Sequence, residues 1–399
     1  MHLKKLKFLI LALVLLSLLF FSNDFGLIDI EKEAIITAIA VDYDDTNAYQ
    51  VTAQIAVPEA SNTTTENTKA QITGKGTTIG SAIKNTGDIS GWFPQLAFCN
   101  LIIIGSQVAN ENIINVLDYF AKTLRLQDSA QLILANGDAK DLLKKTTPLD
   151  NISSFAIQKI LFKNPGFDTD VATNDIKSFC AGYYSPAKSS FMPIIKLLTE
   201  ENSPEQNGKT NQESQGSSKE NGQGEKGKNF FDASTTALFY NGVKVGELDK
   251  DLTHIYNILW RKVKGTTIPI SYPQNNGMEN YLLKVLRCTP KIKTTANIEK
   301  IVVEVNVNLY CKILDHNSAD HDASLYNNKP LPYKLVQTGE ELLKSHVLEL
   351  FEVSRQTNCD FMNINDKLYR FCHKYYHIHK DNFLSRVVPK VKVTITGQK

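Results

Sequence analysis

The stretch "FCHKYYHIHKD" sets His373, His377 and His379 close together, and imidazoles at i and i+4 can share a helix face and bind zinc. A metalloprotease on that plan keeps a glutamate between the pair as general base. Here Lys374, Tyr375 and Tyr376 fill the gap, which fits a packed helix with polar edges better than a metal centre. His316 and His321, flanked by Asp315 and Asp320 in "DHNSADHDAS", read as a solvated, turn-rich loop. "GKGT" at 74–77 invites a phosphate-loop reading, but that motif needs a glycine where Lys69 stands, so a turn before a helix cap is expected. The six cysteines (99, 180, 288, 311, 359 and 372) form no C-x-x-C pair. They read as buried free thiols, with one bridge, Cys288 to Cys311 or Cys359 to Cys372, left open if the chain is exported.

No G-x-S-x-G elbow, dinucleotide fingerprint or kinase signature occurs. No catalytic, cofactor-binding or metal residue is therefore assigned, no cofactor is expected, and the chain does not read as an enzyme. Lys and Arg number 44 against 42 acids, a net +2, with no basic cluster after the first lysines. Nucleic acid is not an expected partner. The remaining candidates are Trp92 and Phe93 in "GWFPQ", on a loop between a helix and a strand. They either cover the core or stand exposed as a contact for a partner or a bilayer surface.

The elements that must carry these residues follow from periodicity. Ile35–Asp42 and Tyr49–Pro58 read as strands joined by the turn "YDDTNA", with Val51, Ala53, Ile55 and Val57 on one face. Thr77 or Thr78 caps a helix carrying Ile79, Ala82, Ile83 and Thr86. "LAFCNLIIIGS" reads as one continuous buried strand, Ile113, Leu117, Phe120 and Leu124 as a helix stripe, and "SAQLILAN" as a strand. Asp138 is placed to cap the helix of "DAKDLLKK". Such alternation predicts a mixed or parallel sheet with helices on it.

Further on, "STTALFYNGVKVGELDKDLTHIYNILW" reads as strand, Asn241-Gly242 hairpin, strand and helix. "VVEVNVNLYCK" alternates with Val303, Val305, Val307, Leu309 and Cys311 inward. Thr338 and Glu341 form a T-x-x-E capping box ahead of Leu343, Val347 and Leu350. "YRFCHKYYHIHKDNF" reads as a single helix, and "KVKVTITGQK" closes as a strand with Val391, Val393 and Ile395 inward.

The amino end has its own logic. Lys4, Lys5 and Lys7 precede an apolar run from Phe8 to Phe21. As a helix those fourteen residues rise ~21 Å, short of a ~30 Å hydrocarbon core but extendable by snorkelling lysines. Ser22 and Gly26 follow Phe20 and Asp24 at the position where signal peptidase wants a small residue. The first cysteine is Cys99, so no lipid-modified residue is assigned. An uncleaved signal anchor is expected, amino end in the cytoplasm. The span 199–229 holds no aliphatic or aromatic residue and reads as a disordered polar linker or loop. The expected division is an anchor at 1–28, mixed α/β structure at 29–198, the linker at 199–229, a small hairpin-helix domain at 230–275 and a C-terminal α/β domain at 276–399.

Taken together, "EAIITAIAVDYDD", "GKGTTIGSAI", "FCNLIIIGSQVA", "STTALFYNGVKVGELD", "DFMNINDKLYRF" and "VKVTITG" resemble, in order, the C subunit of spore germinant receptors, the Ger(x)C family. The resemblance runs from Ile30 to Gly397. Two features depart from it: "FFSNDFG" lacks the family's lipobox Cys and Trp-Asp, and Cys99-Asn100 stands where the family favours Ser-His. The resemblance implies an α+β chain of three mixed α/β domains behind an N-terminal membrane anchor. It further implies a non-enzymatic subunit on the outer face of the spore inner membrane, assembled with two polytopic receptor subunits of A and B type to trigger germination. The alternative is an anchored extracytoplasmic protein that binds or hydrolyses a small molecule at a site built from scattered residues.

Overall fold

The computed structural model describes residues 7, 10–17, 33–56, 69–122, 126–162, 170–199, 229–261, 265–274, 277–317 and 331–397. Residues 10–17 are helical, while the rest of the expected anchor, apart from Lys7, lies outside the described residues, as do 200–228 of the expected linker. Among the described residues no helix is long and apolar enough to cross a membrane.

The first sheet grows outward from β1 (Glu33–Tyr43), β2 (Tyr49–Ala56) and β3 (Lys69–Gly76), an antiparallel meander. Asp44 staples the first turn, its carboxylate accepting from Thr46 N, Thr46 Oγ1 and Ala48 N and pairing with Lys75. Helix α1 (Ile79–Ser90) starts at Thr78, whose hydroxyl accepts from Ser81 N in a reciprocal capping box. It buries Ile79, Ala82, Ile83 and Thr86, the stripe expected from the sequence.

After β4 (Phe93–Gln95) come β5 (Leu101–Ile104), α2 (Ser106–Ala109) and α3 (Ile114–Lys122). Next are β6 (Gln131–Ala135), α4 (Ala139–Lys144), α5 (Ser153–Leu161), β7 (Asn174–Asp175), α6 (Ile176–Tyr184) and β8 (Ser189–Thr199). The hairpin β9 (Asn229–Tyr240) and β10 (Val243–Leu248) completes a ten-stranded sheet ordered β10-β9-β8-β6-β5-β1-β2-β3, with β4 on β1 and β7 on β6.

Alternate residues face opposite helical layers, as the period-two pleat requires. Ile39, Val41, Ile102, Ile104, Leu132 and Leu134 pack with residues of α1, α3 and α6. Ala38, Ala40, Leu101, Ile103, Ile133 and Ala135 pack with residues of α4 and α5.

Helix α7 (Lys250–Trp260) leads to a second sheet of β11 (Thr267–Gln274), β12 (Gly277–Ala296), β13 (Ile301–Asn317) and β14 (Val387–Gly397), in that order. Between β13 and β14 run α8 (Tyr333–Thr357), α9 (Ile364–Phe371) and α10 (His373–His379), and β14 returns parallel to β13. Val303, Val305, Val307, Leu309 and Cys311 are all buried in the core beneath this sheet. Of the span 230–275, β9 and β10 belong to the first sheet and β11 to the second.

Four local expectations are corrected. Leu96–Asn100 is a turn, Cys99 N donating to Leu96 O, so only Leu101–Ile104 of the apolar run is strand. The T-x-x-E pair caps nothing: α8 begins at Tyr333, directly after Pro332, whose fixed φ suits a helix start. Glu340 within that helix instead accepts from Ile395 N of β14. Asp138 stands at the N-cap of α4 without a side-chain cap bond; Asp42 supplies it from β1. The expected single helix at 369–383 breaks at Cys372, whose φ of −130° leaves the helical region.

Candidate interaction surface

Trp92 and Phe93 are set by the end of α1. Gly91, at φ 72°, takes the left-handed conformation that closes the helix, and its N–H returns to Gly87 O. Trp92 N then donates to Ser90 Oγ. Phe93–Gln95 lie parallel to Glu33–Ile35, with Gln95 Nε2 reaching the Glu33 carboxylate. Trp92 is 48% and Phe93 50% exposed, beside Ile89 at 63%; Phe98, on the turn into β5, is 57% exposed. Because β1, β4 and β5 run parallel, all of these side chains gather at one end of the sheet. That is the end at which the chain reaches Glu33.

The histidines do not converge on a point. The His373 and His377 rings meet edge to face with centroids 5.6 Å apart, among Tyr369 and Tyr376. His379 is buried and turned to Asn297, its Nε2 lying 2.6 Å from that carbonyl, while its Nδ1 is 3.2 Å from the Arg386 guanidinium. The carbonyl needs a donor and the guanidinium an acceptor, which together fix a neutral Nε2–H tautomer with no lone pair left for a metal. His316 stacks on Tyr281, and His321 lies outside the described residues. Among the described residues no three His, Cys, Asp or Glu side chains are grouped to hold a metal ion.

The cysteines are all free. Burial pushes the Cys99, Cys311 and Cys359 thiols up to about 12 and those of Cys180 and Cys288 to about 11. These five hold almost no thiolate near neutrality, the form a nucleophile needs. A polar cleft of about 570 Å³ separates α6 and β8 from α9, lined by Ser178, Ser190, Tyr256, Arg261 and Arg370 among others. Its guanidinium groups are engaged by the protein, Arg261 with Thr173 and Arg370 with Asp366.

Two buried carboxylates escaped the sequence reading. Asp42 accepts from Ala139 N and Lys140 N, and burial raises its pKa against the pull of those two bonds. Asp360 is buried where the two modules meet. Its N–H donates to Ser189 Oγ of β8, and its carboxylate accepts from Ile364 N and Asn365 N at the head of α9. Burial pushes Asp360 up to about 7, with the two backbone N–H groups and Lys367 opposing the rise. Asp42 carries no sequence signal, because it is read against backbone distant in the chain. Asp360 caps backbone only four and five residues on, a local pattern that the sequence reading missed.

The fold thus defines a two-sheet α+β protein with the exposed rings of Trp92, Phe93 and Phe98 at one end of the larger sheet. The family comparison agrees. Residues 27–197 match the spore germination protein N-terminal domain, and residues 234–398 match the C-terminal domain of the spore germination B3/GerAC-like proteins. With both domains present in order, the chain belongs to the Ger(x)C family of spore germination proteins, the C subunits of germinant receptors. The crystal structure of the GerBC protein is similar in fold, with a TM-score of 0.53 over 92% of this chain and 99% of that one at 17% identity. No curated protein sequence matches the chain.

Proposed function

We propose that the chain is a non-enzymatic, membrane-anchored C subunit of a nutrient germinant receptor. It assembles with two polytopic subunits of A and B type at the spore inner membrane, its folded body on the outer face. The observation that carries this reading is the ordered pair of family domains spanning 27–197 and 234–398. The raised thiol pKa values and the internally bonded His379 support a role in assembly over one in catalysis.

The test is a gene deletion combined with affinity purification from spore membranes. The tagged full chain should co-purify with two multi-spanning proteins, and the deletion should abolish germination to at least one nutrient. Unchanged responses to every nutrient, with no multi-spanning protein recovered, would overturn the proposal.

A further inference from the structure

The exposed rings at the Glu33 end of the first sheet have an apolar neighbour along the chain. Residues 10–17 are helical, and Ile10, Leu11, Leu13, Val14, Leu15 and Leu16 are each more than half exposed. Consecutive exposed apolar positions point round the whole helix, a pattern that calls for an apolar surrounding on all sides. Between the end of the apolar run at Phe21 and the first strand residue, Glu33, lies the span 22–32. At full extension of ~3.5 Å per residue that span covers no more than roughly 40 Å. If the helix is seated in a bilayer, the end of the sheet that carries Ile89, Trp92, Phe93 and Phe98 is held within that distance of the surface.

We infer that this end of the first sheet rests in the bilayer interface, with lipid headgroups and upper acyl chains covering Trp92, Phe93, Ile89 and Phe98. Trp belongs to the amphipathic residues enriched at that depth, where its ring is apolar and its N–H can still reach water. Ile35, the third residue of β1 and 37% exposed, extends the apolar surface along the same end. Such a second contact would fix the tilt of the body, which a single point of attachment leaves free. The inference rests on the anchoring proposed above and adds a second, separate membrane contact.

The experiment uses the full chain reconstituted alone into phosphatidylcholine and phosphatidylglycerol vesicles, with acyl chains either plain or brominated. Flotation is scored first, then tryptophan emission. The chain has two tryptophans, and Trp260 stacks on Tyr256 and meets Phe351 inside the second module. The difference between the parent and Trp92→Phe, a change at an exposed position, isolates Trp92.

Brominated lipid should cut the Trp92 share of emission about twofold, as an interfacial ring requires, and leave Trp92→Phe unquenched. A chain that floats without this quenching sinks the inference while the anchor stands. A chain that does not float removes the anchoring and the inference with it. Quenching that disappears once the polytopic subunits are co-reconstituted would assign the rings to those subunits and overturn the lipid contact.

Discussion

At the level of single residues, the two buried carboxylates do work that the sequence does not announce. Asp360 sets a pH dependence with a definite sign. Its folded pKa of about 7 lies above the ordinary carboxylate value, so the folded chain binds more protons than the unfolded one between roughly pH 4 and 7. The stability it contributes is full below that window and is lost as pH rises through about 7. Asp42, also raised by burial, acts with the same sign. Denaturant midpoints measured from pH 5 to 8 in mild detergent should therefore fall with pH, and Asp360→Asn should flatten the slope whatever its own midpoint. A slope unchanged in that variant would show that Asp360 does not titrate there. Asp42→Ala strands one buried and one part-buried N–H group and should cost about 1–3 kcal/mol, read as a lower urea midpoint. A loss within error would mean that water replaces the carboxylate.

The elements differ in how far they depend on distant partners. The β9–β10 hairpin is locally specified: Asn241 at φ 52° and Gly242 at φ 80° form the two-residue turn whose twist matches the flanking strands. It is also tied outward, since Ile113 N donates to Gly242 O and a Cβ on Gly242 would stand 2.0 Å from Asn112 Oδ1. Gly242→Ala therefore combines backbone strain with a clash and should cost about 1–3 kcal/mol, shown by a lower melting temperature. An unchanged melting temperature would mean that the turn relaxes at no cost. Helix α8 is the opposite case. Its start is set by Pro332, and its buried stripe of Leu335, Leu343, Val347, Leu350 and Phe351 is placed by the sheet it lies on. The T-x-x-E pair inside it looked like a beginning only because capping motifs are short enough to recur by chance.

For the whole molecule, the decisive measurement is the intact mass of protein extracted from membranes. A retained anchor predicts the full-length mass with no lipid adduct, whereas a mature N-terminus beyond residue 20 would restore a cleaved signal. Sequence alone determined the strands with strict alternation, the helix capped at Thr77 or Thr78, the Asn241-Gly242 hairpin and the order of family segments. Each is encoded by neighbours within a few residues, where periodicity and capping act. Tertiary structure alone decided that the hairpin joins the ten-stranded sheet and that Asp42 caps a helix 97 residues away. It also turned His379 to Asn297 and brought Ile89, Trp92, Phe93 and Phe98 to the end where the chain reaches Glu33. Those outcomes depend on strand order and on backbone groups far along the chain, and no local pattern of residue types records where such groups will stand.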